Sequence, residues 1–374
     1  VTYDNRPTSW GTSVASLGAV KRNTWVEVAV TNAVTTGRLL TLAVRSTSND
    51  AAIYESREAG AAAPQLIVTT GTNTSSSSNS SSTTSSSTTS STTTTTTTTA
   101  PPGGVVIAAA GDLVCQPGLS VTATSCRHLQ VSNLVANDPS VQHFLGLGDL
   151  QYDNGQLANF QSAYAPSFGR FKAKTKPAPG NHEYQTPGAS GYYSYFGAAA
   201  GDPAQGYYSF NIGTDWHVVM LNSNCGVVSC APTSAQAAFL TYDLVATARP
   251  CVIVAWHHPR FSSGQEHGNS TSVGPFWDVL QQRGAEIVLS GHEHNYERFA
   301  PQLPSGAASA SGIREFVVGT GGRSFYAFAT PQPNSVVRLQ AFGVLKLTLG
   351  NRAYSWRFVG ENGSVLDSGT GTCH

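Results

Sequence analysis

Five short motifs hold most of the residues able to do chemistry. They are Gly111-Asp112, Gly148-Asp149-Leu150-Gln151-Tyr152, Gly180-Asn181-His182-Glu183, Trp256-His257-His258-Pro259 and Gly291-His292-Glu293-His294. Carboxylate, amide oxygen and imidazole in one set suit iron, zinc or manganese better than calcium, which takes oxygen alone. No thiolate stands among them, which argues against a soft-metal site. Taken singly, each motif is bland: Gly-Asp is a turn, Asn-His-Glu a loop, His-X-His a surface or core pair. Their combination is not, because each is expected to follow a strand. His292 and His294 flank one residue, so an extended strand end would turn both to one side. A tight turn would instead let them reach two adjacent metals. Glycine before the motifs lets the chain turn where a Cβ would clash.

The elements that must position these residues read as α/β. Apolar, β-rich runs recur at Val105–Ala110, Val141–Leu147, His217–Leu221, Cys251–Trp256, Ile287–Ser290 and Glu315–Val318. Helical stretches lie between several of them, at Leu129–Ala136, Ala235–Ala246 and Pro275–Arg283. Strands alternating with helices imply layered sheets flanked by helices. Strands then dominate, at Val344–Leu349 and Tyr354–Val359. In open α/β sheets ligands bind beyond the carboxyl ends of strands, so the five motifs should converge there.

Around this core the composition is unusual. Only 11% of the 374 residues are charged, against about 25% in an average globular protein. Lys+Arg and Asp+Glu balance at 21 each, so no global field draws the chain to nucleic acid or to an anionic membrane. No apolar run is long enough for a membrane helix. The chain starts without Met or a signal peptide, and its start reads as a processed or truncated end. Cys115, Cys126, Cys225, Cys230, Cys251 and Cys373 form no C-x-x-C pair. An even count in a Ser/Thr-rich chain points to disulfides and an oxidising, extracellular compartment. The short loops Cys115–Cys126 and Cys225–Cys230 would leave Cys251–Cys373, a pairing that sequence alone does not fix.

Three segments follow. Residues 105–374 carry the motifs. Residues 72–104 are nearly pure Ser and Thr up to Pro101-Pro102-Gly103-Gly104. Such a linker has too little apolar surface to offset the entropy of ordering, and it reads as an O-glycan carrier. Asn73, Asn79, Asn269 and Asn362 open Asn-X-Ser/Thr sequons, which permit glycosylation. Residues 1–71 alternate with period two at Trp25–Val30, Leu40–Val44 and Gln65–Val68, a β pattern.

Residues 105–374 resemble the calcineurin-like metallophosphoesterases, and within them the purple-acid-phosphatase branch. The carriers are the motif set GD, GDxxY, GNHE, HxP and GHxHxYER, the last present as Gly291-His292-Glu293-His294-Asn295-Tyr296-Glu297-Arg298. The resemblance implies a four-layer αββα sandwich. It implies one metal held by Asp112, Asp149, Tyr152 and His294, and a second held by Asp149, Asn181, His257 and His292, with Asp149 bridging. The wider family has Asp-X-His in the first motif; Val114 stands at that His here, and Tyr152 is the branch's replacement. The branch places Fe(III) beside such a phenolate, with Zn, Fe or Mn(II) in the other position. A phosphate mono- or diester would then be attacked by a metal-bound hydroxide. His182 and His267 are candidate proton donors to the leaving group. His258 and Arg260 are candidates to bind substrate oxygens, and Glu183 and Glu297 to orient loops.

Residues 1–71 resemble the C-terminal half of a DNRLRE-type, carbohydrate-binding-module-like β-sandwich, through Tyr3-Asp4-Asn5-Arg6-Pro7, Trp25-Val26-Glu27-Val28 and Tyr54-Glu55-Ser56-Arg57-Glu58-Ala59. This small all-β domain is an incomplete sandwich, with strand edges left open. Upstream residues or another chain would complete it, the latter by strand exchange that can build fibres. Three roles are therefore carried forward: a secreted phosphoesterase, an assembly protein of an extracellular fibre, and a phosphatase anchored to cell-wall glycan through its N-terminal domain.

Overall fold

The computed structural model describes residues 103–374. The expectations for residues 1–71, and for the linker up to residue 102, lie outside the described residues. In chain order the strands begin with β1 (Val105–Ala110), β2 (Val141–Leu147), β3 (Thr175–Ala178), β4 (Tyr208–Ile212), β5 (Trp216–Met220) and β6 (Cys251–Ala255). They continue with β7 (Ile287–Ser290), β8 (Tyr296–Phe299), β9 (Arg314–Val318) and β10 (Ser335–Leu339). The last three are β11 (Gly343–Gly350), β12 (Ala353–Gly360) and β13 (Val365–Thr372). One sheet has the order β13-β12-β11-β1-β2-β3, the other β10-β8-β9-β7-β6-β5-β4. The strands that precede the motifs run parallel, β1 with β2 and β3, and β6 with β7. Their carboxyl ends therefore open on the same edge of each sheet.

Side chains alternate across a strand, and the second sheet uses both faces. Cys251, Ile253 and Ala255 of β6, with Ile287 and Leu289 of β7, join the core that also contains Ile107, Ala109 and Leu347 of the first sheet. Val252, Val254 and Val288 point the other way, onto Ala237, Leu240, Phe276, Trp277 and Leu280 of the helices Ala235–Ala246 and Gly274–Gln282. The first helix is capped by Ser234, whose hydroxyl accepts the Ala237 N–H at 3.1 Å. The first sheet is covered by the helix His128–Ala136 through Val131 and Val135, and by Phe168 and Phe171 against Phe144. The layers are thus helix, sheet, sheet, helix.

Ties between the sheets are polar and covalent as well as apolar. Trp216 on β5 donates its indole N–H to the Gly350 carbonyl of β11 at 2.9 Å. Asp367 on β13 accepts from Arg298 at 2.7 and 3.0 Å and from Tyr296 at 2.6 Å, both on β8. The disulfide Cys251–Cys373 joins the start of β6 to the residue after β13. Cys115–Cys126 and Cys225–Cys230 close two short loops, and no described cysteine is free. Asn269 and Asn362 are exposed; Asn73 and Asn79 lie outside the described residues. No helix among the described residues is long and apolar enough to cross a membrane.

Candidate metal centre

The five motifs meet at the carboxyl ends of β1, β2, β3, β6 and β7. The short loops after β1 and β2 continue to pair, with Leu113 N–H on the Asp149 carbonyl at 2.9 Å and Tyr152 N–H on the Val114 carbonyl at 2.8 Å. Asp112 (φ 59°), Asp149 (φ 49°) and His292 (φ 72°) all have left-handed backbone. Such conformations cost side-chain-bearing residues free energy and concentrate at functional sites. Each swings its side chain inward from the strand end. Gly148 (φ +83°) has no alternative, since a Cβ there would lie 2.5 Å from His257 Nδ1. Glycine at 180 serves close approach instead, because Asp149 occupies the space a side chain would need.

The inward groups form two lobes. In one, the Tyr152 hydroxyl lies 2.9 Å from Asp112 Oδ1, 3.0 Å from Asp149 Oδ2 and 2.9 Å from His294 Nε2. In the other, His257 Nε2 lies 3.1 Å from Asn181 Oδ1, 3.1 Å from His292 Nδ1 and 3.3 Å from Asp149 Oδ2. Asp149 Oδ2 thus belongs to both lobes. The second carboxylate oxygens are tied off by backbone: Asp149 Oδ1 accepts the His182 N–H at 2.9 Å, and Asp112 Oδ2 accepts the His292 N–H at 2.8 Å. His292 and His294 sit on a tight turn, with Glu293 N–H on the Gly291 carbonyl at 2.9 Å, and so diverge to different lobes.

The proton inventory points to cations. A phenol has one proton, yet three acceptor groups surround Tyr152. The His257 Nδ1–H is committed to the Leu147 carbonyl at 2.8 Å, so Nε2, bare or carrying one proton, faces three acceptor atoms on Asn181, His292 and Asp149. Fixing one ring nitrogen in this way is how a protein aims the other at a metal. His294 is held likewise, Nδ1 against the Ser324 hydroxyl at 2.9 Å. The donor set therefore fits two cations, one per lobe, sharing Asp149. Without them the site is electrostatically strained. Burial, then the charges of Asp112 and Asp149, push the Tyr152 phenol well above its usual range. Burial would raise Asp149, but His257, His182 and His292 hold it well below the usual carboxylate range. Burial works to lower His257, yet beside Asp149 it is pushed up to about 9. Burial and the neighbouring His257 and His258 drive His292 far down.

The remaining sequence candidates fall at different places. His182 is half-buried, with Nδ1 on the Asp153 carbonyl and Nε2 3.8 Å from Asp149 Oδ2. His267 is exposed and its ring stacks on His292 at 3.9 Å. His258 lines an open cavity of about 430 Å³ beside the second lobe. Arg260 does not line it; its guanidinium lies over Phe261 and donates to the Pro304 carbonyl at 3.4 Å. Val114, at the position of the absent histidine, is fully buried.

Sequence reasoning missed one whole loop and the weight carried by buried carboxylates. After β5, Ser223 Oγ accepts the N–H groups of His257 at 3.2 Å and His258 at 2.9 Å, and Asn224 donates to the Pro179 carbonyl at 3.1 Å. Nothing in Asn222-Ser223-Asn224 stands out among the Asn and Ser of a chain this rich in both. The Glu183 carboxylate accepts four backbone N–H groups, from Asp149, Leu150, Gln151 and Gly180, at 2.7 to 3.2 Å. Burial and the Asp149 charge push it up to about 7. Glu293 accepts from His267 and Gly268 at 2.6 Å, Glu315 from Arg260 and Phe261 at 3.0 Å, and Glu297 from Ser263 N–H at 2.7 Å.

Comparison with known proteins gives the family. The family model described as Calcineurin-like phosphoesterase matches residues 106–296, and that of Carbohydrate-binding module family 96 matches residues 1–70. Purple acid phosphatase 15 of Arabidopsis thaliana is 28% identical over 204 residues, 45% of this chain and 37% of the relative. Purple acid phosphatase 21 of the same plant is 30% identical over 252 residues, 60% of this chain and 55% of the relative. The chain thus spans about half or less of the curated relatives it matches. The structure of purple acid phosphatase PPD1 from yellow lupin (Lupinus luteus) seeds superposes with a TM-score of 0.63 at 20% identity, covering 71% of this chain and 53% of that one. With the family model spanning more than half its length and carrying all five motifs, the chain belongs to the calcineurin-like phosphoesterase family.

Proposed function

We propose that residues 103–374 form a binuclear-metal phosphoesterase that hydrolyses phosphate mono- or diesters. The observation that carries this is the two-lobed donor cluster sharing Asp149 Oδ2, with more lone pairs than protons in each lobe. Asp112, Asp149, Tyr152 and His294 hold one ion, and Asp149, Asn181, His257 and His292 the other. The pair, when bound, supplies a nucleophile from water at neutral pH and a clamp for the attacking and leaving oxygens. His182 acts at Nε2: with its Nδ1–H held on the Asp153 carbonyl, the imidazolium form carries a second proton on Nε2, gives that proton to the leaving oxygen and is left as the neutral Nδ1–H tautomer. His267, stacked on His292 at the exposed rim, is the second candidate for that transfer. The cavity lined by Asn181 and His258 receives the substrate. Arg260 has no part in this reading, since its guanidinium is engaged elsewhere.

The likeness to purple acid phosphatases supports Fe(III) beside the Tyr152 phenol in the first lobe, with Zn, Fe or Mn(II) in the second. The test is hydrolysis of p-nitrophenyl phosphate together with metal analysis and a visible spectrum. His292→Ala is expected to abolish turnover and lower metal content, and His182→Ala to cut kcat about 100-fold or more with metal retained. Full activity in His292→Ala would falsify the assignment.

The match of residues 1–70 to a carbohydrate-binding module supports a second element: attachment to a polysaccharide, with the Ser/Thr segment as a glycosylated spacer. Three disulfides and two exposed sequons support secretion. Pull-down of the full chain on insoluble polysaccharides tests this; retention on none removes the anchoring role and leaves the hydrolase.

A further inference from the structure

Ser223 lies outside all five motifs, yet its hydroxyl makes three contacts at the edge of the site. Its oxygen faces the backbone N–H groups of His257 at 3.2 Å and of His258 at 2.9 Å, and lies 2.7 Å from His258 Nδ1. A hydroxyl has two lone pairs and one proton. The two N–H groups take the lone pairs, so the proton goes to Nδ1. That contact makes Nδ1 an acceptor and leaves the ring proton of a neutral His258 on Nε2. His257 is fixed the opposite way, with its Nδ1–H on Leu147 and its Nε2 lone pair in the cluster. Two adjacent histidines thus present opposite tautomers: one a ligand, the other a donor.

The loop that holds Ser223 is rigid for identifiable reasons. The buried Gln236 amide accepts the Asn222 N–H at 2.7 Å and donates to the Asn222 carbonyl at 2.9 Å. Asn224 is pinned to Pro179, two residues from Asn181, and the disulfide Cys225–Cys230 closes the chain immediately after. The His258 ring packs against His292, with centroids 4.4 Å apart, and lines the cavity beside the second lobe.

We propose that Ser223 is a positioning residue that fixes His258 as the Nε2–H tautomer, making it an uncharged donor to a phosphoryl oxygen rather than a third imidazole ligand. This rests on the phosphoesterase reading and adds to it how the substrate is oriented. A neutral donor serves mono- and dianionic phosphoryl groups alike, and its proton is not shared with the cations.

The tautomer is read directly from long-range ¹H–¹⁵N spectra of the full chain labelled at histidine, metal-free and metal-loaded. Wild type is expected to show His258 protonated at Nε2 in both. Ser223→Ala should give an averaged tautomer signal, raise KM for p-nitrophenyl phosphate and the inhibition constant of inorganic phosphate about tenfold, and change kcat less. Ser223→Thr, which keeps the hydroxyl, should restore all three. His258→Ala should raise the phosphate inhibition constant by the same factor, and the double variant should add nothing further. A wild-type proton on Nδ1, or unchanged phosphate inhibition in His258→Ala, overturns the proposal even in an active enzyme. A chain that hydrolyses no phosphate ester under any metal overturns the phosphoesterase reading and, with it, the donor role; the spectra then still report whether Ser223 sets the tautomer.

Discussion

Asp149 is the residue on which both lobes depend, and its orientation is set by Glu183. The Glu183 carboxylate collects the N–H groups of three consecutive residues on the Asp149 loop and that of Gly180 on the Asn181 loop. It thereby fixes the spacing between the two loops that feed the second lobe. Replacing Glu183 by Gln keeps one acceptor oxygen and turns an NH2 toward backbone donors. We expect Glu183→Gln to weaken metal binding about 10- to 100-fold, by analogy with other outer-layer partners of metal ligands, and to lower thermal stability. Metal titration followed by calorimetry checks both, and unchanged metal affinity would show that the clamp is not what positions Asp149. Of the candidate ligands, Asp112, Asp149, Asn181 and His292 were legible as chemically distinctive side chains beside glycine, and Tyr152, His257 and His294 through the motifs they complete. Glu183 was legible only as a candidate orienter, since nothing local says that four N–H groups will converge on it.

At the level of elements, apolar strands announce themselves and polar ones do not. The runs at Val105–Ala110, Val141–Leu147 and Ile287–Ser290 are expected and observed with the same bounds. By contrast β3 is Thr-Lys-Pro-Ala, and its proline is tolerated because β3 is the sheet edge. β13 reads Val-Leu-Asp-Ser-Gly-Thr-Gly-Thr, a poor strand by propensity. It forms because Gly369 pairs with Trp356 and Gly371 with Tyr354 on β12, whose rings cover the space a side chain would take. That cross-strand fit is invisible in either segment alone. The β11 strand is also tied to the turn before β2, by Lys346 to Asp138 at 2.6 Å. Partial burial would raise Asp138, but Lys346 and Ser140 outweigh it and hold the carboxyl down at about 2. A depressed folded-state pKa stabilises above the unfolded value near 4 and is lost as pH falls through 2. Asp138→Asn should therefore cost about 0.5–1 kcal/mol at pH 7, after allowing for solvent screening, with the difference closing toward pH 2. Urea midpoints across that range measure it, and a pH-independent difference would assign the effect to packing.

For the whole molecule, the Cys251–Cys373 disulfide joins the two sheets at the ends of β6 and β13 away from the ligand-bearing strand ends of β6 and β7. Its sequence separation is 122; loop-closure entropy alone would give about 5 kcal/mol for such a loop, and disulfides typically deliver about 2–4 kcal/mol. Paired Cys251→Ser and Cys373→Ser replacement should lower Tm by roughly 10 °C while leaving metal stoichiometry at the site unchanged. Loss of metal in that variant would mean the sheets are coupled more tightly than their shared core implies. The low overall charge takes on a different meaning at this scale: several of the chain's acidic residues are not surface solubilisers at all, but buried anchors for loop backbone. Glu183, Glu293, Glu297 and Glu315 are each buried.

The position of β11 has a consequence in time. It lies between β1 and β12, so one edge of β1 is satisfied only by a strand made after every candidate ligand, from Asp112 to His294, has already been synthesised. A nascent chain can thus possess the complete ligand set while its first strand still exposes unpaired N–H and C=O groups. Release at that stage would yield a species that recognises metal poorly and neighbouring chains well. A stop after residue 340 is expected to give aggregates rather than a smaller active enzyme. Maturation of the catalytic unit is therefore governed by the arrival of the three C-terminal strands, which contribute no ligand to it.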